Sequence, residues 1–419
     1  MGVDTPAFDD AHRQRAISPG LALAALALGG FAIGTTEFAA MGLLPQIAAG
    51  MDVSEPRAGW LISAYALGVV IGAPVLAGLG ARLPRKTMLI ALMIAFAIGN
   101  FLSVVAPTFP LLFASRFLAG LPHGAYFGIA ALVAAGMVDP LKRARAVSMV
   151  MLGLSIANVV GVPLATWMGQ HLGWRSAFLV VAAIGAATAT AVMVLVPFAP
   201  AQPGASLRRE LGSLRSVQVW LTLAAAMVGF GGVFAVYAYI APTVTALSGL
   251  TEAAVPLILL TFGLGMVTGN ILGGRLADRT VLGTLIGGIT AMAAMLFLFS
   301  VLVHGTVTVF IGVYLVSTTC SLLFPAVQMR LMHFAREGKS LASSLIHSAF
   351  NIANALGAWI GGAVIAAGWG YTAPAIVGGL LAVLGIGVVL ASVVLERRQG
   401  GVQAGGFEPE VVAEIVPTH

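Results

Sequence analysis

Twelve stretches of about 20 residues, each almost wholly apolar, follow one another from residue 20 to residue 395. A helix of about 20 apolar residues matches the hydrocarbon thickness of a bilayer, and no soluble core uses so many in succession. The stretches lie at 20–44, 57–80, 87–106, 108–137, 146–169, 175–197, 218–246, 253–275, 281–303, 306–328, 340–367 and 371–395. Only 9% of the 419 residues are charged and 59% are hydrophobic, against about 25% charged in a typical soluble domain. Membrane strands alternate apolar and polar residues and these runs do not. The sequence therefore predicts an all-α membrane protein with twelve transmembrane helices. Pro, Gly and charge mark the breaks, as in "SEPR" 54–57, "RLPRK" 82–86, "APTFP" 106–110, "DPLKRAR" 139–145 and "REGKS" 336–340.

Charge placement sets the expected orientation. Counting loops alternately along the chain puts eighteen of the 21 Lys and Arg residues on one side, and only Arg57 and Arg175 on the other. Arg116 falls inside a span. The positive-inside rule then places both termini in the cytoplasm, and an even number of spans agrees. The net charge of +6 is thus accounted for by topology, without a nucleic-acid partner. The polar segment before Leu21 lacks the small-residue cleavage site of a secretory signal, so the first helix is expected to be retained. Trp174-Arg175 opens the sixth helix and reads as an interface anchor. The single cysteine, Cys320, excludes an intrachain disulfide.

The two halves of the chain match at one constant offset of 197 residues: Pro45 with Pro242, Ser54-Glu55 with Thr251-Glu252, Gly68 with Gly265, Gly72 with Gly269, Arg82 with Arg279. Ser54 and Thr251 both read as helix N-caps. "SIANVVG" 155–161 resembles "NIANALG" 351–357 at nearly the same spacing. Six helices have been duplicated. The expected domains are a cytoplasmic tail 1–19, a six-helix bundle 20–197, a linker 198–217, a second bundle 218–396 and a disordered tail 397–419. Parallel repeats of six spans, with a substrate site between them near mid-bilayer, describe a rocker-type secondary transporter.

Motifs sharpen this into a resemblance. The chain resembles the major facilitator superfamily over nearly its full length, and within it the twelve-helix drug:proton antiporters of the sugar-efflux and chloramphenicol-resistance type. The family's Gly-x-Leu-Ala-Asp-Arg-x-Gly-Arg-Lys loop reads "AGLGARLPRK" at 77–86, with Arg82, Arg85 and Lys86 kept and Ala81 in place of the acid. The second half has "GRLADR" 274–279, with Gly274, Asp278 and Arg279 intact. The resemblance implies that such loops latch the cytoplasmic side, and that Asp278 and its neighbours carry more of that role here. "RFLAG" 116–120 matches the family's Arg-x-x-x-Gly in helix four, and Gly161 and Pro163 of "GVP" match part of its antiporter motif in helix five. The fold so implied is two pseudo-symmetric six-helix bundles.

Within the spans, the ionisable residues are the candidates for chemistry. Gly30, Gly34, Glu37 and Met41 share one helical face, so Glu37 faces protein or a cavity rather than lipid. An acid inside a bilayer is costly and marks function. A carboxyl group withdrawn from water favours its neutral form, which makes Glu37 a proton store; the alternative is a structural hydrogen bond to a neighbouring helix. Arg116 sits at matching depth, about 10–12 Å below the outer boundary, and is the expected electrostatic partner of Glu37. It cannot give up a proton, so it tunes the acid, holds substrate, or serves as a structural ion pair. His123 shares the stripe 116, 120, 123, 127 and titrates near neutrality, as a relay or as a packed neutral ring. Candidate cavity residues are Tyr65, Tyr126, Asn158, Phe230, Phe234, Tyr237, His347, Asn351 and Asn354, with helix packing as the competing role of each.

No phosphate-cradling loop, metal-spaced cluster or nucleophile motif occurs, so no enzyme, metal or cofactor is expected. The sequence points to a secondary active transporter of the bacterial cytoplasmic (inner) membrane, multi-pass and monomeric. Its partners are protons, a small-molecule substrate and lipid. The first expectation is a proton-coupled antiporter exporting a drug such as an amphenicol. Export of a sugar, nucleoside or other metabolite, and uptake by a proton symporter, stay open.

Overall fold

A computed structural model of the chain describes residues 18–80, 83–139, 143–198, 216–335 and 339–398, with the backbone alone at 77–80, 143–145 and 339–344. Twelve of its helices are long and apolar enough to cross a membrane. In chain order they are α1 Pro19–Gly42, α2 Glu55–Leu76, α3 Arg85–Val105, α4 Phe109–Gly136, α5 Ala146–Leu172, α6 Trp174–Leu195, α7 Val217–Ala238, α8 Glu252–Arg279, α9 Val281–Leu302, α10 Thr308–Phe334, α11 Leu345–Ala366 and α12 Ala373–Arg398. All twelve expected spans are present. The expected tails and linker fall on 1–17, 199–215 and 399–419, outside the described residues, as do Arg82 and Lys142.

The repeat is visible in how the helices break. α1 stops at Leu43 and a short helix, Leu44–Gly50, follows. α7 stops at Tyr239, followed by Ile240–Leu247, so the stretch 218–246 is not the continuous helix its hydropathy predicts. Each second segment carries one of the paired prolines, Pro45 or Pro242, which lacks the N–H that an unbroken helix requires there. The paired glycines repeat a contact as well. A Cβ at Gly68 or Gly72 on α2 would strike the Phe117 or Leu121 carbonyl on α4. At Gly265 and Gly269 on α8 the same carbon would strike Tyr314 and Thr318 carbonyls on α10. Without a hydrophobic force between helices in lipid, such close backbone approach supplies the packing. The outward faces are apolar, with Ile98 and Leu384 more than half exposed. Ser54 and Thr251 precede their helices in extended conformation, yet neither side chain caps its helix.

Two other expectations need correction. α5 is not a uniform α-helix: Ala157–Gly161 forms a wide π-turn before Val162–Leu172. Pro163 supplies no N–H to the preceding turn and its ring crowds the carbonyl four residues back, and a widened turn relieves both. The matching stretch 351–357 has Trp359 in the proline's place and stays α-helical. Trp174 is buried rather than set at a lipid boundary, edge-on to Phe178. Arg175 lies over its ring and donates to the carbonyls of Val104 and Ala106, closing the α3–α4 connection.

Candidate functional site

Glu37, on α1, is 8% exposed, and no described residue offers its carboxylate a hydrogen bond or an ion pair. Its electrostatic neighbours are Arg116, Tyr65 and Tyr237. The expected contact with Arg116 is not formed. Arg116 instead spends its guanidinium on the preceding residue, donating to the Thr36 carbonyl at 2.9 Å and the Thr36 hydroxyl at 3.0 Å. The Thr36 hydroxyl in turn donates to Asn100 Oδ1 at 2.6 Å, and Asn100 Nδ2 donates to the Phe96 carbonyl. Tyr65 and Phe178 cover the guanidinium with their rings at 4.7 and 4.9 Å. Arg116 is therefore a fully enclosed cation held by neutral groups of α1 and α3.

Successive residues on a helix point about 100° apart. This turns Thr36 toward α3 and α4, while Glu37 has Tyr65 of α2 and Tyr237 of α7, one from each six-helix half, among its neighbours. Next to it, Phe38 meets Tyr237 edge-on at 5.6 Å, and Tyr237 stacks on Phe262 at 4.0 Å. That shelf joins α1 to α7 and α8. Gly30 and Gly34 lie against α5, with Phe127 of α4 beside them: a Cβ at Gly30 would crowd Val150 and Phe127, and one at Gly34 Leu154 and Ala157.

The expected stripe on α4 is buried throughout, and His123 reaches a second cluster. Its Nδ1 shares a 3.2 Å hydrogen bond with the Tyr65 hydroxyl. The ring lies 5.4 Å from Phe127 and 6.3 Å from His347 of the other half, and His347 stacks on Phe127. Tyr65 thus touches both the Arg116 and the His123 groups. Further along α11, the Asn351 Oδ1 and both amide atoms of Asn354 are buried without a partner, as is Asn158 Oδ1 on the π-turn of α5. Asn158 Nδ2 and Asn351 Nδ2 return to carbonyls of their own helices.

Other candidates lie in packing. Tyr126 donates to the Leu26 carbonyl and presses on Gly29, between α4 and α1. Phe230 belongs to an aromatic group with Phe324 and Phe350 inside the second half, and Phe234 packs on Gly357. Gly161 faces α1, where a Cβ would collide with the Thr35 hydroxyl and the Phe31 ring. Arg85 and Lys86 stand half-buried at the start of α3. Asp278 and Arg279 are exposed at the end of α8, Gly274 faces open space, and Asp278 pairs with no described residue.

Three polar features escaped the sequence reading. Asn100 was hidden in the apolar run of helix three, although an amide there needs partners. Ser103 and Ser115 share a hydrogen bond beside it, at 2.9 Å. Arg330, two residues past the expected end of the tenth stretch, is buried in α10 and forms the one ion pair among the described residues, with Glu396 at 3.1 Å. Ser392 and Gln218 complete that network.

Comparison with known proteins agrees with this geometry. The chain is 42% identical over 370 residues to the Inner membrane transport protein YdhP of Escherichia coli (strain K12), covering 88% of this chain and 95% of that one. It is 35% identical over 263 residues to the Chloramphenicol resistance protein of Streptomyces lividans, covering 62% and 67%. Among solved structures it resembles a bacterial homolog of the human lysosomal transporter Spinster, described as inward-facing and unoccupied, with a TM-score of 0.68, 16% identity, and coverage of 92% of this chain and 99% of that one. The sequence profile of the Major Facilitator Superfamily matches residues 26–340. The chain is a multi-pass membrane transporter, not an enzyme, and belongs to the Major Facilitator Superfamily.

Proposed function

We propose that the protein is a proton-coupled antiporter that exports a small organic compound by alternating access. One observation carries the reading: Glu37 is a buried acid with no described hydrogen-bond or ion-pair partner, set where the two halves meet. An unpaired carboxyl group in a dry site is held neutral or must find a partner, so a proton and a substrate that donates hydrogen bonds can compete for it. Arg116, fixed by Thr36 and Asn100, supplies a constant positive field nearby. His123 and His347 extend a titratable line across the seam. The Phe38–Tyr237–Phe262 shelf and the unpartnered amides of Asn158, Asn351 and Asn354 offer a substrate both apolar and polar contacts. The π-turn that ends at Gly161, two residues before Pro163, gives α5 a place to flex beside Asn158.

In this reading the chain is a monomer in the bacterial inner membrane, with both termini in the cytoplasm and Asp278 among the gating residues of that face. The likeness to a chloramphenicol resistance protein favours an amphenicol as cargo; a sugar or other metabolite is the second candidate. The test is efflux from proteoliposomes under an imposed pH gradient, with chloramphenicol and a panel of labelled sugars. The parent is expected to move one of them against its gradient, and Glu37→Gln to lose that pH-driven movement while inserting normally. Unaltered transport by Glu37→Gln removes the acid from the mechanism.

A further inference from the structure

The hydrogen bonds that join the two halves among the described residues are four, and three of them gather at the end of the molecule opposite the N-terminal end of α1. Gln46, on the short helix after α1, donates from Nε2 to Glu252 Oε2 at 2.6 Å. Gln170, near the end of α5, donates to the Glu252 backbone carbonyl at 2.7 Å. Tyr371, between α11 and α12, donates its hydroxyl to Glu55 Oε2 at 2.6 Å. The fourth, from the Ser63 hydroxyl to the Ala355 carbonyl at 3.1 Å, lies about two turns deeper along α2.

Glu55 and Glu252 are partners in the internal repeat. Each follows the Ser54 or Thr251 that reads as a cap, and each starts the second helix of its half. Instead of serving their own helix ends, both carboxylates reach into the opposite half. Glu252 of the second half meets the first half at the α5–α8 seam, and Glu55 of the first half meets the second at the α2–α11 seam. Local geometry presents the donors. Gly368 and Gly370 take positive φ on either side of Trp369, a conformation that favours glycine, and so turn Tyr371 back toward Glu55. On the same seam Tyr239 donates to the Ala358 carbonyl and rests against Gly59 of α2, where a Cβ would displace its hydroxyl.

We propose that this repeat-related pair of glutamates forms a two-sided clasp that holds the halves shut at this end. Opening here requires both sides to release, since each seam keeps its own carboxylate. The proposal rests on the alternating-access reading above, but is read out in distances rather than in proton-driven flux, so the two fail separately.

The experiment places nitroxide labels at Leu172→Cys and Val307→Cys, which are 68% and 72% exposed at the clasp end of opposite halves. The native buried thiol is removed as Cys320→Ala. Distances are measured by pulsed electron resonance in lipid nanodiscs. The parent is expected to show one narrow, short distribution. The triple variant Gln46→Ala, Gln170→Ala, Tyr371→Phe is expected to raise the long-distance population roughly tenfold or more, as three lost hydrogen bonds require. Glu55→Gln, which keeps an acceptor for Tyr371, is expected to match the parent. A triple variant with the parent's distribution overturns the clasp, as does an equal shift in Glu55→Gln. Unchanged helicity and elution of each variant show that the fold is retained.

Discussion

Arg116 grips Thr36, not Glu37: its two terminal nitrogens go to the hydroxyl and carbonyl of that threonine. The cation and the acid are close enough to feel each other, yet neither neutralises the other by contact. An acid freed in this way can exchange a proton; one clamped in an ion pair would be held ionised. The Thr36–Asn100–Arg116 network is therefore a positioning device, and its removal has a definite cost.

Asn100→Leu takes away the oxygen that accepts from the Thr36 hydroxyl and from Arg116 at 3.4 Å. A buried donor left unmet costs about 1–3 kcal/mol, more when it is charged. Thermal unfolding of the purified protein in detergent should show a loss of at least that size, while Thr36→Ser, which keeps the hydroxyl, stays near the parent.

Gly161→Leu should be strongly destabilising or fail to accumulate. The Thr35 hydroxyl it would strike is itself tied to the Phe31 carbonyl at 2.7 Å and cannot swing aside freely. Overpacking of this kind costs about 1–3 kcal/mol or more. Expression level and melting temperature report it, and a well-folded Gly161→Leu protein would contradict the packing described.

Tyr65→Phe removes the hydroxyl that meets His123 and leaves the ring over Arg116 in place. If His123 passes protons, pH-driven efflux should fall at least several-fold, with the about 10²–10⁴-fold worth of positioned proton transfer as the ceiling, and with little change in stability. Full activity in Tyr65→Phe would leave His123 with packing alone.

Tyr371 gives a pH readout outside the spans. Burial, and then its hydrogen bond to Glu55, push its phenol from the ordinary 10.0 up to about 12. Its folded-state value is raised, so the stabilisation is present below about pH 10 and lost as pH climbs through 12. Ultraviolet difference titration of the parent against Tyr371→Phe should isolate the late ionisation of this one tyrosine. Glu55→Ala should move it back toward the ordinary value.

Spans and repeat were legible because lipid imposes a simple code: length, apolarity and the punctuation of Pro, Gly and charge. The matching depth of Glu37 and Arg116 followed from counting residues. Which of two adjacent residues the arginine would choose did not, because that depends on the rotation of α1 about its own axis, set by glycine contacts with α5 that no single helix encodes. Asn100 was missed for a related reason: one amide in helix three has no meaning until α1 and α4 arrive beside it. Pro163 stands in the sequence as part of a helix-five motif, and the structure gives that motif a form, the widened turn before it.

That form has a consequence for inheritance. The widened turn at 157–161 holds one residue more than regular coiling needs, so along α5 the residue count runs one ahead of the rotation. Below it α5 presents Gly153 to α1; above it, Gly161 and Thr166 meet Thr35 and Gly42, while Gly263 presses on Asn158 from α8. Deleting that one extra residue would let the turn recoil to regular geometry with both ends in place, whereas a deletion elsewhere in α5 would swing one whole end by about 100° and unseat these matings at once. Lineages descended from this chain can therefore lose a residue at this one stretch more readily than anywhere else along α5.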